Sequence, residues 1–284
     1  MDHVTFEREP GLESPVLICA FTGWNDGGEA ASTAAGYLRD RWGAERFARL
    51  DPEEFYDFQV TRPTVRLVDG VTRRIEWPSN DFYTASLPGR DVVLFLGIEP
   101  NVRWRRFTEE ILAAAKAVGA SSVLLLGAFL ADVPHTLDAP VTGSAADRAE
   151  ADRLGLSSSR YEGPSGIVGV LHDAASRAGY PTVSFWAAVP HYLPAGPNPK
   201  AALALVEKVA AYLETEVATD TLERAAATWE TQVSEMIEEN EDLASYVDRL
   251  ESQATEGDDL GEVPSGEALA QELERFLREE REGD

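Results

Sequence analysis

The sequence predicts an α/β protein built on a mainly parallel sheet with helices on both faces. Uninterrupted apolar runs recur at 15–21 (PVLICAF), 91–98 (DVVLFLGI), 122–130 (SVLLLGAFL) and 182–189, as in strands buried on both faces. Helix-patterned segments alternate with those runs, which is the order of a sheet covered by its own connections. The length, 284 residues, suits one large domain or a domain with an appendage.

Each element has its own signal. After the first run, 28–42 reads as a helix, with Ala30, Ala34, Tyr37 and Leu38 at helical spacing. In 65–77 (VRLVDGVTRRIEW), Asp69-Gly70 sits between two strand-like runs and predicts a hairpin. Segment 107–118 is the next helix. Ser165 is placed to cap a helix that ends at Gly179, and 200–213 is the last helix of the α/β body.

Charge divides the chain near position 215. Residues 1–214 form the nearly balanced body. Residues 214–284 hold 23 acidic and 5 basic residues, a net charge of −18, so 215–284 is read as an acidic helical extension. Asp220 and Glu223 form an acidic version of a capping box. From there Leu222, Trp229, Met236, Leu243 and Leu250 recur every seventh position, and Ala226, Val233, Asn240 and Val247 follow at the same period. That is a heptad seam along one helix over 220–252, with Asn240 as its polar position. The seam packs either on its own body or on a partner helix. A polar loop, 252–264, and a short helix over 265–280, with Leu269, Leu273, Phe276 and Leu277 on one face, complete the extension.

Composition excludes several functions. A net charge of −25 repels phosphate backbones and anionic membranes, so neither nucleic acid nor a membrane is an expected partner. The N-terminal residues have no basic or apolar stretch of a secretion signal, and no apolar run reaches about 18 residues. A cytoplasmic location is therefore expected. Cys19 is the single cysteine, so no disulfide framework or cysteine-built metal site forms.

Candidate site residues cluster where strands end. The first turn is Thr22, Gly23, Trp24, Asn25, Asp26, Gly27 and Gly28. Its glycines before a helix allow close approach to an anion, but the lysine of a P-loop and the third glycine of a dinucleotide fingerprint are missing. Asp26 either opposes a phosphate there or caps the helix. The second cluster, GIEPNVRWRRF, supplies Glu99, Asn101, Arg103 and Trp104 at the carboxyl end of a strand. Arg103, Arg105 and Arg106 suit a carboxylate or phosphate, or else pair with the chain's own surplus carboxylates. His135 and His191 each follow a proline just after a strand. They suit proton transfer in a shared pocket, or they tie down rigid loops. Only Glu99 is placed to complete a metal site with them, so no metal and no cofactor is expected. Ser165 lacks a nucleophile elbow and is read as a cap.

Taken in order, FTGWNDGGEAA, RPTVRLVDGVTRRIEWP, GIEPNVRWRRF, VPHT, RYEGPSGIVGVL and WAAVPHYLPAGPNPKAAL closely resemble the proteasome assembly chaperone family in its actinobacterial branch. The resemblance spans roughly residues 16–250. It implies a three-layer α/β/α sandwich of the phosphorylase/hydrolase-like kind with a C-terminal helical extension. It also implies a non-enzymatic chaperone or scaffold that acts on proteasome subunits and forms a homo-oligomer, with a trimer as the guess. Archaeal relatives can dock through a hydrophobic–tyrosine–any-residue tail. This chain ends REEREGD, so docking of that kind is not expected, while binding of α subunits through another surface stays open. The family supplies no catalytic residues to carry over. The alternative is an enzyme or binder of a small anionic or nucleoside-like ligand. Its pocket would lie at the carboxyl ends of the strands, with Arg103 as clamp and His135 or His191 as acid/base.

Overall fold

A computed structural model describes residues 2–145, 148–154, 156, 161–193 and 196–255. The expected short helix over 265–280 and most of the 252–264 loop lie outside the described residues.

The four apolar runs form adjacent parallel strands: β2 (Val16–Thr22), β7 (Arg90–Ile98), β8 (Ser122–Ala131) and β10 (Thr182–Pro190), in the order β7-β2-β8-β10. The sheet is larger and more mixed than expected, with eight strands. On one side β6 (Asp81–Leu87), β3 (Glu45–Leu50) and β1 (Val4–Phe6) extend it antiparallel. On the other, β9 (Val141–Ala145) pairs antiparallel with β10. These outer strands carry short apolar content such as Glu-Arg-Phe-Ala-Arg-Leu in β3, so they lack the continuous run that marks a doubly buried strand.

Alternate residues of the central strands face two cores. Ile18, Leu94, Leu124 and Phe185 pack under α1 (Ala30–Arg41) and α5 (Pro199–Leu213). Leu17, Cys19, Phe21, Val93 and Phe95 pack under α2 (Trp104–Ala117) and α4 (Ile167–Arg177), which completes three layers. A short helix, α3 (Arg148–Arg153), flanks β9. In the second core Phe21, Phe82 and Phe107 surround Phe95 with ring centroids 4.5–6.2 Å apart. Each fully buried phenylalanine contributes up to about 3 kcal/mol.

Two helix starts differ from expectation. Residues 27–29 form a 3-10 turn with Gly28 at φ +57°, so α1 begins at Ala30 rather than at 28. Ser165 does not cap α4. The cap position is Gly166, and the exposed Ser165 hydroxyl donates only to the Gly166 carbonyl at 3.4 Å.

The expected helix over 220–252 is two helices, α6 (Asp220–Glu238) and α7 (Glu241–Thr255). Asn240 causes the break. Its Oδ1 accepts from the Asp242 and Leu243 N–H groups, both at 3.1 Å, so this residue caps α7 instead of occupying a seam. The cap of α6 is Thr219, with Asp220 already inside the helix, where it pairs with Arg41 and Arg224. Leu222, Ala226, Val233, Val247 and Leu250 are buried against the chain's own body. Around the break the seam shifts by one residue: Ile237 is buried and Met236 is 40% exposed.

The hairpin β4 (Thr64–Val68) and β5 (Thr72–Glu76) forms as expected, but it stands apart as a separate two-stranded sheet with every strand residue exposed. Both its feet are tied to the carboxyl end of β7. Asn80 Oδ1 accepts from the Ile98 N–H at 3.0 Å, and Asn101 Oδ1 accepts from the Asp57 N–H at 2.9 Å.

Candidate functional site

The loops that follow parallel strands meet at the carboxyl edge of the sheet, where open α/β folds place ligands. The expected site residues gather there in two separate groups.

The first group centres on Glu99, just past β7. Its Oε1 accepts from Asn25 Nδ2 at 2.7 Å and from the Ile167 N–H at 2.9 Å. Its Oε2 accepts from the Trp24 N–H at 3.3 Å. The carboxylate therefore takes the capping role expected of Ser165, with its negative charge at the N-terminus of α4. The glycines of the turn lie close against neighbouring segments. Gly23 has φ +130° and lies where a Cβ would come 2.9 Å from Glu99 Cβ. Gly27 rests on the Phe129 backbone, and the Gly28 carbonyl accepts from the Asn198 N–H at 2.7 Å. Asn25 is buried, and its carbonyl accepts from the Ala128 N–H at 2.7 Å. Asp26 Oδ1 caps α1 by accepting from Ala31 and Ser32 N–H groups at 2.8 and 3.1 Å. Burial raises the Asp26 pKa despite those bonds. Thr22 ends β2 exposed to solvent, and Trp24 projects from this rigid turn with 63% of its surface exposed.

Beside this group, Asn101 holds the 57–61 loop, and Arg103, in left-handed backbone at φ +56°, pairs with Glu54. Trp104 starts α2 and packs against the second core. Arg106 pairs with Asp2 at 2.6 Å and Glu110 at 2.8 Å. The arginines nearest the edge thus engage the chain's own carboxylates.

The second group lies at the ends of β8 and β10. His135 is buried, and both ring nitrogens are engaged: Nδ1 with Tyr192 Oη at 2.9 Å and Nε2 with Ser234 Oγ at 3.1 Å. Its carbonyl accepts from Lys200 Nζ at 2.9 Å, and Lys200 pairs in turn with Glu230 of α6. Burial lowers the His135 pKa, with Lys200 adding to the effect and Glu230 and Glu251 opposing it. His191 is more exposed and faces Asp132 at 3.1 Å. The rings of His135 and His191 both lie edge-on to Tyr192, and Tyr246 of α7 closes the cluster with its hydroxyl donating to Asp132 at 2.8 Å. The two histidines therefore share an aromatic joint that fastens α6 and α7 to the body. Glu99 belongs to the other group, and no set of three His, Cys, Asp or Glu side chains placed for a metal occurs among the described residues.

A cavity lies beside this joint, among Pro134, His135, Pro190, Asn198, Lys200 and Trp229. Its volume is about 10 Å³, room for a single water. Sequence reasoning missed Tyr192, Ser234, Tyr246 and Lys200. The last three lie on helices, and their only signal was a polar residue flanking an apolar stripe. Among the described residues no helix is long and apolar enough to cross a membrane.

Comparison with known proteins identifies the family. Two solved structures share both sequence and fold. The Mycobacterium tuberculosis proteasome-assembly chaperone homologue Rv2125 is 47% identical, with a TM-score of 0.75, over 82% of this chain and 99% of that one. A PAC2 family protein from Streptomyces avermitilis is 45% identical, with a TM-score of 0.77, over the same 82% and 99%. The Pyrococcus furiosus archaeal proteasome activator PbaB, at 17% identity and a TM-score of 0.69 over 83% of this chain and 99% of its own, shares the fold. No curated protein matches. Residues 20–237 match the model of the PAC2 family, from within β2 to nearly the end of α6, and the chain belongs to that family.

Proposed function

We propose that this chain is a non-enzymatic assembly chaperone or scaffold for proteasome subunits, working in the cytoplasm as a homo-oligomer. One observation carries the reading: the polar side chains central to the carboxyl edge are engaged within the chain. Glu99, Asn25, Asp26 and His135 all bond to the chain itself, and the cavity beside the joint holds about 10 Å³. A small-molecule site needs some hundreds of Å³. The family supports the partner class, since a relative 47% identical is a proteasome-assembly chaperone homologue.

Trp24 is the contact we assign to the partner. It is exposed, yet it stands on a turn that Glu99 and Ala128 hold fixed, and such an ordered aromatic loses little entropy on binding. The test mixes the purified full chain with proteasome α subunits and records native mass spectra. A complex of the two is expected, weakened tenfold or more in Trp24→Ala, in line with a loss of about 2 kcal/mol at a buried aromatic hot spot. Absence of any complex, with proteasome assembly rates unchanged by the chain, overturns the reading.

A further inference from the structure

The β4–β5 hairpin lacks a cover. In an antiparallel pair, directly opposed residues share a face. Val65 opposes Ile75 and Leu67 opposes Arg73, so Val65, Leu67 and Ile75 make an apolar face with Arg73 at its side. They are 57%, 61% and 49% exposed. On the other face Arg66 opposes Arg74. Arg66 pairs with Glu76, while Arg62, Arg73 and Arg74 have no hydrogen bond or ion pair among the described residues. A bare two-stranded sheet is marginally stable in water, and facing like charges weaken it further. An occupant that is both apolar and acidic would cover Val65, Leu67 and Ile75 and pair with Arg73 on the same face.

The acidic helices α6 and α7 match the charge alone, because Val233, Ile237, Val247 and Leu250 are already buried. The C-terminal segment has both properties. Residues 256–284 hold 11 acidic and 3 basic residues, and Leu269, Leu273, Phe276 and Leu277 fall on one face at helical spacing. The segment is also within reach. The hairpin's feet are tied to the end of β7, and α7 is tied to the end of β8 through Tyr246–Asp132 and Glu251–Thr136. Only β2 separates these strands, so the two anchor points lie along one edge, about 10 Å apart at the sheet. Nine residues, 256–264, extend about 30 Å.

We propose that the amphipathic segment 265–280 docks on the Val65–Leu67–Ile75 face of its own chain's hairpin, with its glutamates beside Arg73. The test is hydrogen–deuterium exchange with mass spectrometry on the full-length chain. In Leu273→Asp/Phe276→Asp, amides of 64–76 are expected to exchange about tenfold faster, while peptides of the central strands keep their protection and report an intact body. The reciprocal variant, Val65→Thr/Leu67→Thr/Ile75→Thr, keeps the β propensity of the strands and should raise exchange in 265–280 by a similar factor. Protection is expected to stay constant over about a hundredfold range of protein concentration. Unchanged hairpin exchange in the Asp variant overturns the proposal. Protection that grows with concentration also overturns it, and assigns the face to a second copy.

Discussion

The two groups at the carboxyl edge hold the molecule in different ways. The Glu99 group is an ionic knot inside the body: one carboxylate joins the β2 turn, β7 and the start of α4. The His135 group is a joint between the body and its extension, centred on imidazole, phenol and hydroxyl groups, with the Lys200–Glu230 pair and Asp132 at its margin. The contrast shows how groups that suit catalysis serve architecture instead. A carboxylate satisfies backbone N–H groups at a helix start, where the helix dipole favours it. A neutral imidazole suits the joint because it both donates and accepts, linking Tyr192 to Ser234 across two segments.

Breaking the knot should cost the most. Glu99→Ala leaves Asn25 Nδ2 and the Ile167 N–H without their acceptor, and hydrogen bonds to a charged group contribute about 1.5–3 kcal/mol each. A global loss of about 3 kcal/mol or more is expected in urea unfolding. A loss below about 1 kcal/mol would mean that Glu99 is not the keystone of this edge. Breaking the joint should act locally. His135→Ala is expected to release α6 and α7 at a cost of about 2 kcal/mol, seen as faster amide exchange in 220–255 with the central strands unchanged. Equal loosening of both regions would erase the distinction between them.

Acid should sharpen the comparison. His135 has a lowered pKa when docked, so the released state binds more protons near and below the free imidazole value of about 6.5. Docking is then fully stable above that pH and weakens as pH falls below it. Protection factors in 220–255, which divide out the slower intrinsic exchange in acid, should fall accordingly from neutral to mildly acid pH, and His135→Gln should flatten the trend. His172 of α4 also has a pKa lowered by burial, so acid is expected to loosen α4 in the same window. A smaller effect is expected from Asn240→Ala, which removes the cap of α7 for about 1 kcal/mol and should appear in 241–255 alone. Smallest of all is Arg103→Ala. Its partner Glu54 is partly exposed, so a change under about 0.5 kcal/mol is expected; a large loss of subunit binding instead would make Arg103 a contact.

The sequence made the buried strands legible because each is a continuous apolar run, and β2, β7, β8 and β10 follow those runs closely. The outer strands were hidden because half of β3 is exposed, and because Asp81, Thr84 and Ser86 interrupt the apolar run of the largely buried β6. The positions of the candidate residues were legible, since strand ends and turn glycines mark an edge. Their roles were not. Glu99 caps a helix that begins 68 residues later, a relation that only the tertiary fold creates. Asn240 misled for a local reason. Asparagine suits both a polar heptad position and a helix cap, and the Glu-Asp that follows it was the overlooked sign of a new helix start.

The lone thiol of Cys19 turns these distinctions into something that can be timed. It lies at the middle of β2, wholly buried, and burial pushes its pKa up, so no thiolate is available in the folded body. An alkylating reagent can mark it only when the central sheet itself comes apart. Labelling is therefore a clock for whole-body opening that excursions of α6, α7 or the hairpin do not advance, and it comes built into the natural chain.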